Sequence, residues 1–270
     1  GLEVDDLKTG KRLLGFAGLL QGTTASGQTL DPANLGRFVM DLYGDQRYNV
    51  PLGFWNSWPR IHTGSVAQTT PTNGATALGL FVPMWVPGSG IQTVPVRRKR
   101  DVDAEFQFDT DAVGTAFGSN DVSFELAAIY ADRVPSAYVP AYKKSTLQFQ
   151  SATSLDEDYT RGNISALWLR EAAGNSNSDI IQRFDITIDN QDQTQRIGLD
   201  LSDVVATVLA EIETPNEPWK FQDLTDGPPQ QGGYRNNQVE IDVTTGASGS
   251  VEIITGNRVP ASQVSGLTLE

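Results

Sequence analysis

The chain has no cysteine among its 270 residues. Disulfides, thiolate nucleophiles and cysteine-ligated metals are therefore excluded, and thiol chemistry gives no clue to compartment. Histidine is almost as scarce: His62, in Pro59-Arg60-Ile61-His62-Thr63-Gly64, stands alone. Zinc and iron sites built on several imidazoles are excluded with it. No Gly-x-Ser-x-Gly elbow accompanies His62, so a Ser-His-Asp triad has no local signature and no catalytic residue is assigned. Apolar runs are short, none approaching the roughly 20 residues of a membrane-spanning helix, and Gly1-Leu2-Glu3-Val4-Asp5-Asp6 lacks the basic-then-apolar order of a signal peptide. The expectation is a soluble chain, and the absent initiator Met points to processing or trimming.

Positive charge is also in short supply. Twenty Lys and Arg face 33 Asp and Glu, a net charge of −13 and a pI near 4.5. Wrapping nucleic acid needs a basic surface, so direct nucleic-acid binding is not expected. The exception is Arg97-Arg98-Lys99-Arg100, followed at once by Asp101 and Asp103. It reads first as a solvated loop or an inter-subunit salt-bridge patch, and second as a contact for anionic head groups or nucleic acid.

What the chain does have is turn formers and strands. Its 26 Gly and 14 Pro with 39% hydrophobic residues suit a turn-rich all-β protein. Residues 104–110 alternate Glu105, Gln107 and Asp109 with Phe106 and Phe108, the period of a half-buried strand. Residues 122–130, 164–169, 183–188, 239–243 and 251–255 read similarly, and strands parted by Gly, Asn, Asp and Pro suggest sandwiches. One segment departs from this pattern. Leu201, Val204, Val205, Val208, Leu209 and Ile212 form a single helical stripe, with Asp200 placed to cap it and Pro215 to stop it, which predicts a short helix over 200–212.

The chain repeats itself. Arg37-Phe38 opens an apolar-rich strand and a polar turn, as Arg183-Phe184 does later; residues 104–110 are echoed by 239–245, and 122–126 by 251–254. The order is kept while loop lengths drift, which predicts a duplicated β-domain. Residues 136–144, confined by Pro135 and Pro140, read as an extended connector and place the halves at 1–142 and 143–270. The Pro/Gly-rich passage 225–233 reads as a long exposed loop, and the tail from Pro260 as either a docking arm or a frayed end.

Candidate functional groups are few. The stretches Leu52 to Trp58 and Leu78 to Pro87 are the most apolar of the first half and read as core or subunit interface, with Pro83 demoting the second to an edge or bulged strand. Trp55, Trp58, Trp85 and Trp219 are candidates for stacking on sugar rings, whereas Trp168, inside an apolar strand, reads as core. For a hard cation such as Ca²⁺ the weak candidates are Asp156, Glu157, Asp158, Asp189 and Asp192, with Asp101/Asp103 and Asp109/Asp111 as further acidic pairs; solvated turn aspartates are the plainer reading.

Two similar sandwich halves, an Arg-Phe-x-Ile-x-Ile-Asp strand at 183–189, a helix over 200–212 and closing strands resemble the double jelly-roll major capsid proteins of tailless icosahedral viruses with an internal membrane, corticoviruses and tectiviruses among them. The resemblance is one of pattern over most of the chain. It implies an all-β fold of two tandem jelly-roll β-sandwiches with a short helix inserted in the second. It further implies a non-enzymatic capsid protein that trimerises into pseudo-hexagonal capsomers and tiles an icosahedral shell. The partners would be other copies of itself, neighbouring capsomers, and minor capsid or membrane proteins of the virion; the place would be the virion shell, the chain being soluble before assembly. No cofactor is implied beyond a structural Ca²⁺ on acidic loops. The alternatives are a carbohydrate-binding or glycoside-cleaving tandem β-sandwich, whose paired carboxylates no local spacing would reveal, and a tandem-sandwich adhesion protein.

Overall fold

A computed structural model describes residues 2–4, 7–63, 68–69, 74–88, 90–134, 138–160, 164–172, 180–188, 191–196, 218–224, 238–260 and 264. The chain divides into two compact units, one of residues 1–85, 91–139 and 260–270, the other of residues 86–90 and 140–259.

The first unit contains strands β1 (Leu2–Glu3), β2 (Lys11–Thr23), β3 (Gly36–Leu42), β4 (Asp45–Pro51), β5 (Gln68–Thr69), β6 (Ala75–Pro83), β7 (Val94–Val96), β8 (Val102–Phe108) and β9 (Val122–Tyr130), with helices α1 (Leu52–Thr63) and α2 (Thr110–Phe117). One sheet runs β1-β8-β3-β4; in the other β2 lies between β6 and β9, with β5 beside β6 and β7 on β2. The second unit holds β10 (Tyr138–Phe149), β11 (Thr153–Thr160), β12 (Ile164–Glu171), β13 (Ile181–Ile188), β14 (Gln191–Arg196), β15 (Lys220–Asp223), β16 (Gln238–Thr245) and β17 (Gly249–Pro260), apart from the outermost residues of β10 and β17. Its sheets run β10-β17-β12-β15 and β11-β16-β13-β14. By position within the unit these are strands one, eight, three and six, and strands two, seven, four and five, the order of a jelly roll.

The first unit repeats that order. Its β1-β8-β3-β4 corresponds to β11-β16-β13-β14, and its β9-β2-β6 to β17-β12-β15. The three sequence echoes therefore fall on matching strands: Arg37-Phe38 on β3 and Arg183-Phe184 on β13, residues 104–108 of the first segment on β8 and 239–245 on β16, residues 122–126 on β9 and 251–254 on β17. Phe38 and Phe184 are both fully buried while Arg37 and Arg183 are exposed, so the dipeptide marks a strand entering with one residue out and the next in.

Burial explains each core. In the first unit Phe38 meets Phe16, Tyr48, Trp55 and Phe106, with ring centroids 4.7 to 6.4 Å apart. In the second, Leu167, Leu169, Phe184, Ile186, Val239, Ile241, Val243, Val251 and Ile253 close the space between the two sheets. The strand β16 alternates half-buried and buried from Gln238 to Thr245, as one core face requires, whereas β12 is buried from Ile164 to Arg170 without alternation. On its other side Trp168 packs against Tyr142 and Phe221.

Several expectations need correction. The apolar stretch from Leu52 is the helix α1, its Leu52, Phe54, Trp55, Trp58 and Ile61 all buried. Pro59 lies inside it, where a proline costs a backbone hydrogen bond, so propensity hid the helix and tertiary burial carries it. The connector read over 136–144 is in large part β10. Pro83 fits its edge reading: it sits at the end of β6, paired with Gly15 of β2 on one side, while β5 reaches only Ala77 and Leu78, and its carbonyl accepts a 2.7 Å hydrogen bond from the buried Tyr48 hydroxyl. The helix predicted over 200–212 and the loop at 225–233 lie outside the described residues.

Candidate functional site

The groups singled out for chemistry are scattered. His62 ends α1 and stacks on Trp58 at 4.6 Å; burial pushes its pKa down to about 3, so the ring is neutral at physiological pH. A neutral, half-buried imidazole held against an indole packs the last turn of the helix.

The tryptophans give no sugar platform. Trp55, Trp58, Trp168 and Trp219 are buried, and the half-buried Trp85 packs on Trp58 and Phe81. Trp219 takes the Arg170 guanidinium over its ring at 4.4 Å. The carbohydrate reading needed Trp55, Trp58 or Trp219 at the surface, and packing against the sheets removes all three.

The acidic candidates separate by the pleat of β11. Asp156 and Asp158 are exposed on one face, opposite Asp242 and Glu240 of β16, while Glu157 lies on the other face opposite Ile241. Asp189 falls outside the described residues, and Asp192 is on β14. Among the described residues no three His, Asp or Glu side chains are gathered as a metal would need. What the register does bring together was not foreseen: Asp156, Asp242 and Asp185 stand directly opposite one another across β11, β16 and β13. Burial, then Asp185 and Asp156, raise the Asp242 carboxyl above the ordinary carboxylate range, against the pull of Arg183. Its Oδ1 is buried without a hydrogen bond, and Arg183 pairs instead with Asp185 at 2.8 Å. No local sequence signal reports such a row, because register alone makes it.

A second charged group is fully formed. Glu252 on β17 accepts from Lys144 and Arg170, and Arg170 and Glu252 are both buried. Burial raises the Glu252 carboxyl, yet the hydrogen bonds and charges of Lys144 and Arg170 outweigh it and hold it below its ordinary value.

The basic run forms an exposed turn. Arg97, Arg98, Lys99 and Arg100 are all exposed, and a short 3₁₀ segment spans Lys99–Asp101. Asp101 shapes the turn: its Oδ2 accepts from the backbone N–H groups of Arg97 and Arg98 at 2.9 and 2.7 Å. Beside it, Tyr43 and Gly44 take φ values of 56° and 87° to close the two-residue hairpin between β3 and β4. The Tyr43 hydroxyl donates to the Pro95 carbonyl at 2.6 Å.

The described residues thus hold no assembled catalytic constellation, and what defines the chain is its architecture, the double jelly roll. The same fold occurs in solved capsid structures. The major capsid protein P2 of bacteriophage PM2 is 12% identical with a TM-score of 0.60, covering 94% of this chain and 90% of that one. The Sulfolobus Turreted Icosahedral Virus structure is 10% identical at a TM-score of 0.65, covering 96% and 86%. The PBCV-1 virus capsid is 11% identical at 0.57, covering 98% and 92%. No protein-family model matches the sequence, and no curated protein does. At such identities the likeness is one of fold.

Proposed function

We propose that this chain is a viral major capsid protein with a structural and not a catalytic role. The observation that carries the reading is the match of both jelly rolls, over nearly the whole length of each chain, to proteins described as major capsid proteins. The finer expectations belong to the same proposal. Three copies form a capsomer in which six similar sandwiches approximate a hexagon, capsomers tile an icosahedral shell, and the chain resides in the virion. Its partners are further copies of itself, with minor capsid or membrane proteins of the virion beside them. Structural Ca²⁺ on Asp156, Glu157, Asp158, Asp189 or Asp192 stays a proposal for calorimetry with and without chelator. No described helix is long and apolar enough to cross a membrane.

Light scattering on the purified chain tests the central claim. A particle of about three times 29.2 kDa, with pseudo-hexagonal outlines by electron microscopy, is the expected result. A monomer at all accessible concentrations overturns it.

A further inference from the structure

The chain is acidic as a whole, yet its first unit gathers cations at one end. The turn Arg97-Arg98-Lys99-Arg100 leads from β7 to β8 beside the start of β2, where Lys11 and Arg12 pair with Val96 and Pro95. The end of β9 lies there too: Ala131 donates to the Arg12 carbonyl, and the Lys8 N–H donates to the Tyr130 hydroxyl at 2.9 Å. Lys8, Lys11, Arg12, the four residues of the turn and Arg133 make up eight of the chain's 20 Lys and Arg. We propose that this basic turn docks on the outer face of the sheet β11-β16-β13 in the second unit of another copy of the chain. The proposal rests on the capsid reading, which brings many copies of one chain to contact distance.

Positive charge stays open at the turn itself. Arg98, Lys99 and Arg100 are exposed, and among the described residues none of the three has an ion-pair partner. Two acidic residues nearby are already engaged, Asp132 with Lys11 at 2.7 Å and Asp45 with Arg47 at 2.6 Å. The carboxylate of Asp101 accepts from the backbone N–H groups of Arg97 and Arg98, which holds the turn in shape and keeps its three cations close together.

The sheet face has the opposite surplus. Asp156 and Asp158 stand opposite Asp242 and Glu240, and Asp242 stands opposite Asp185. The three strands contribute one cation, Arg183, which pairs with Asp185 at 2.8 Å. Asp242 keeps a buried Oδ1 without a hydrogen bond, and burial, then Asp185 and Asp156, hold its carboxyl above the ordinary range. The row is therefore short of positive charge. A strand spacing of about 4.8 Å and a two-residue step of about 7 Å put Asp156, Asp158, Glu240 and Asp242 at the corners of a small rectangle. The long side chains of Arg98, Lys99 and Arg100, grouped around one 3₁₀ turn, span such a patch, and the two guanidinium forks suit paired carboxylate oxygens.

Charge complementarity selects the occupant, because every copy carries both surfaces. Single-stranded nucleic acid is gripped by aromatic platforms set among the cations, whereas the aromatic residues beside this turn, Tyr43 and Tyr130, are half-buried and hydrogen-bonded to Pro95 and Lys8. An anionic membrane would repel the remainder of a chain whose net charge is −13. A contact between two different surfaces repeats from copy to copy, closing as a ring or linking one ring to the next.

A charge swap in the full chain tests the contact, read by sedimentation velocity over a range of concentration and salt. One variant reverses the turn, with Arg98→Glu, Lys99→Glu and Arg100→Glu; another reverses the face, with Asp156→Lys and Asp158→Lys at exposed positions; a third combines all of these changes. Self-association of the unmodified chain is expected to weaken as salt rises, each one-sided variant to weaken it by about tenfold or more at low salt, and the combined variant to recover most of that loss. Neutral versions, Arg98→Gln with Arg100→Gln and Asp156→Asn with Asp158→Asn, replace any reversed chain that loses its native circular dichroism, and a smaller loss is expected of each. One-sided variants that associate like the unmodified chain, or a combined variant no better than either, overturn the contact and leave the capsid reading intact. Retention on phosphatidylglycerol vesicles that the turn reversal abolishes, with self-association unchanged, assigns the turn to lipid and overturns it as well. An unmodified chain that stays monomeric at all accessible concentrations overturns both the contact and the capsid reading.

Discussion

Among individual residues, the charges on the second unit have opposite consequences. Asp242 has a raised carboxyl pKa, so the folded chain holds that proton more tightly than the unfolded chain, and the penalty of its charge is relieved as pH falls toward the ordinary carboxylate range. Asp242→Asn should therefore raise the melting temperature at pH 7, by the equivalent of up to about 1 kcal/mol, and should shrink the gain on mild acidification. A calorimetric pH series checks it; an unchanged or lowered melting point at pH 7 refutes the repulsive row. Glu252 works the other way. Its carboxyl is held low by Lys144 and Arg170, so its contribution is present above the ordinary pKa and is lost as pH falls through the lowered one. Glu252→Gln leaves Arg170 buried beside Trp219 without its anion and should cost about 3 kcal/mol in urea unfolding. His62, with its pKa pushed down to about 3, stays neutral when folded but takes a proton near pH 6.5 when unfolded. Stability is thus whole above that value and erodes below it, and the imidazole proton signals of the native chain should not titrate between pH 5 and 8.

The helices show how far pattern reading reaches in a single element. The short α2 begins at Asp109, whose side chain accepts from the N–H groups of Asp111 and Ala112, and ends at Gly118 with φ of 62°. Those cap residues were visible in the sequence, but eight residues without a long apolar stripe gave no periodicity to prompt the assignment. The helix α1 is held by contacts no window of sequence reveals. Asn56, fully buried, donates to the Gly79 carbonyl of β6 at 2.8 Å, and a Cβ on Gly53 would stand 2.4 Å from the Pro32 carbonyl oxygen. Asn56→Ala leaves that carbonyl buried without its donor and should cost about 1–3 kcal/mol. Gly53→Ala should destabilise as well, because the atom it meets is backbone and cannot swing away; chemical denaturation of the two variants against the unmodified chain measures both. The strands were far more readable. Alternation survives folding in residues 102–107 and 238–245 because one face of each strand meets a core and the other does not, while beyond Gln107 it lapses as β8 ends at Phe108. The strand β12 lost its alternation for the complementary reason, being covered on both faces.

For the whole molecule, duplication is the organising fact, and the echoed strands occupy the same places in two sheet orders. Arg37-Phe38 and Arg183-Phe184 carried that information because an exposed Arg next to a buried Phe is a demand on strand geometry that any sequence reader can see. Composition contributed in a different way: without thiols and with one imidazole, the chain has no ligands for thiolate or multi-imidazole metal sites. The sugar-stacking role of Trp55, Trp58 and Trp219 failed on a property composition does not hold, their burial. By itself, then, the sequence determined the strand-rich class, the repeat and the exclusion of thiol and imidazole metal sites, since these depend on residue types and on neighbours along the chain. Tertiary structure alone decided that Leu52 to Thr63 is a helix and that three aspartates face one another across separate strands. Each of those depends on which distant segments the fold brings side by side, and register and burial are properties of the pairing and not of either strand alone.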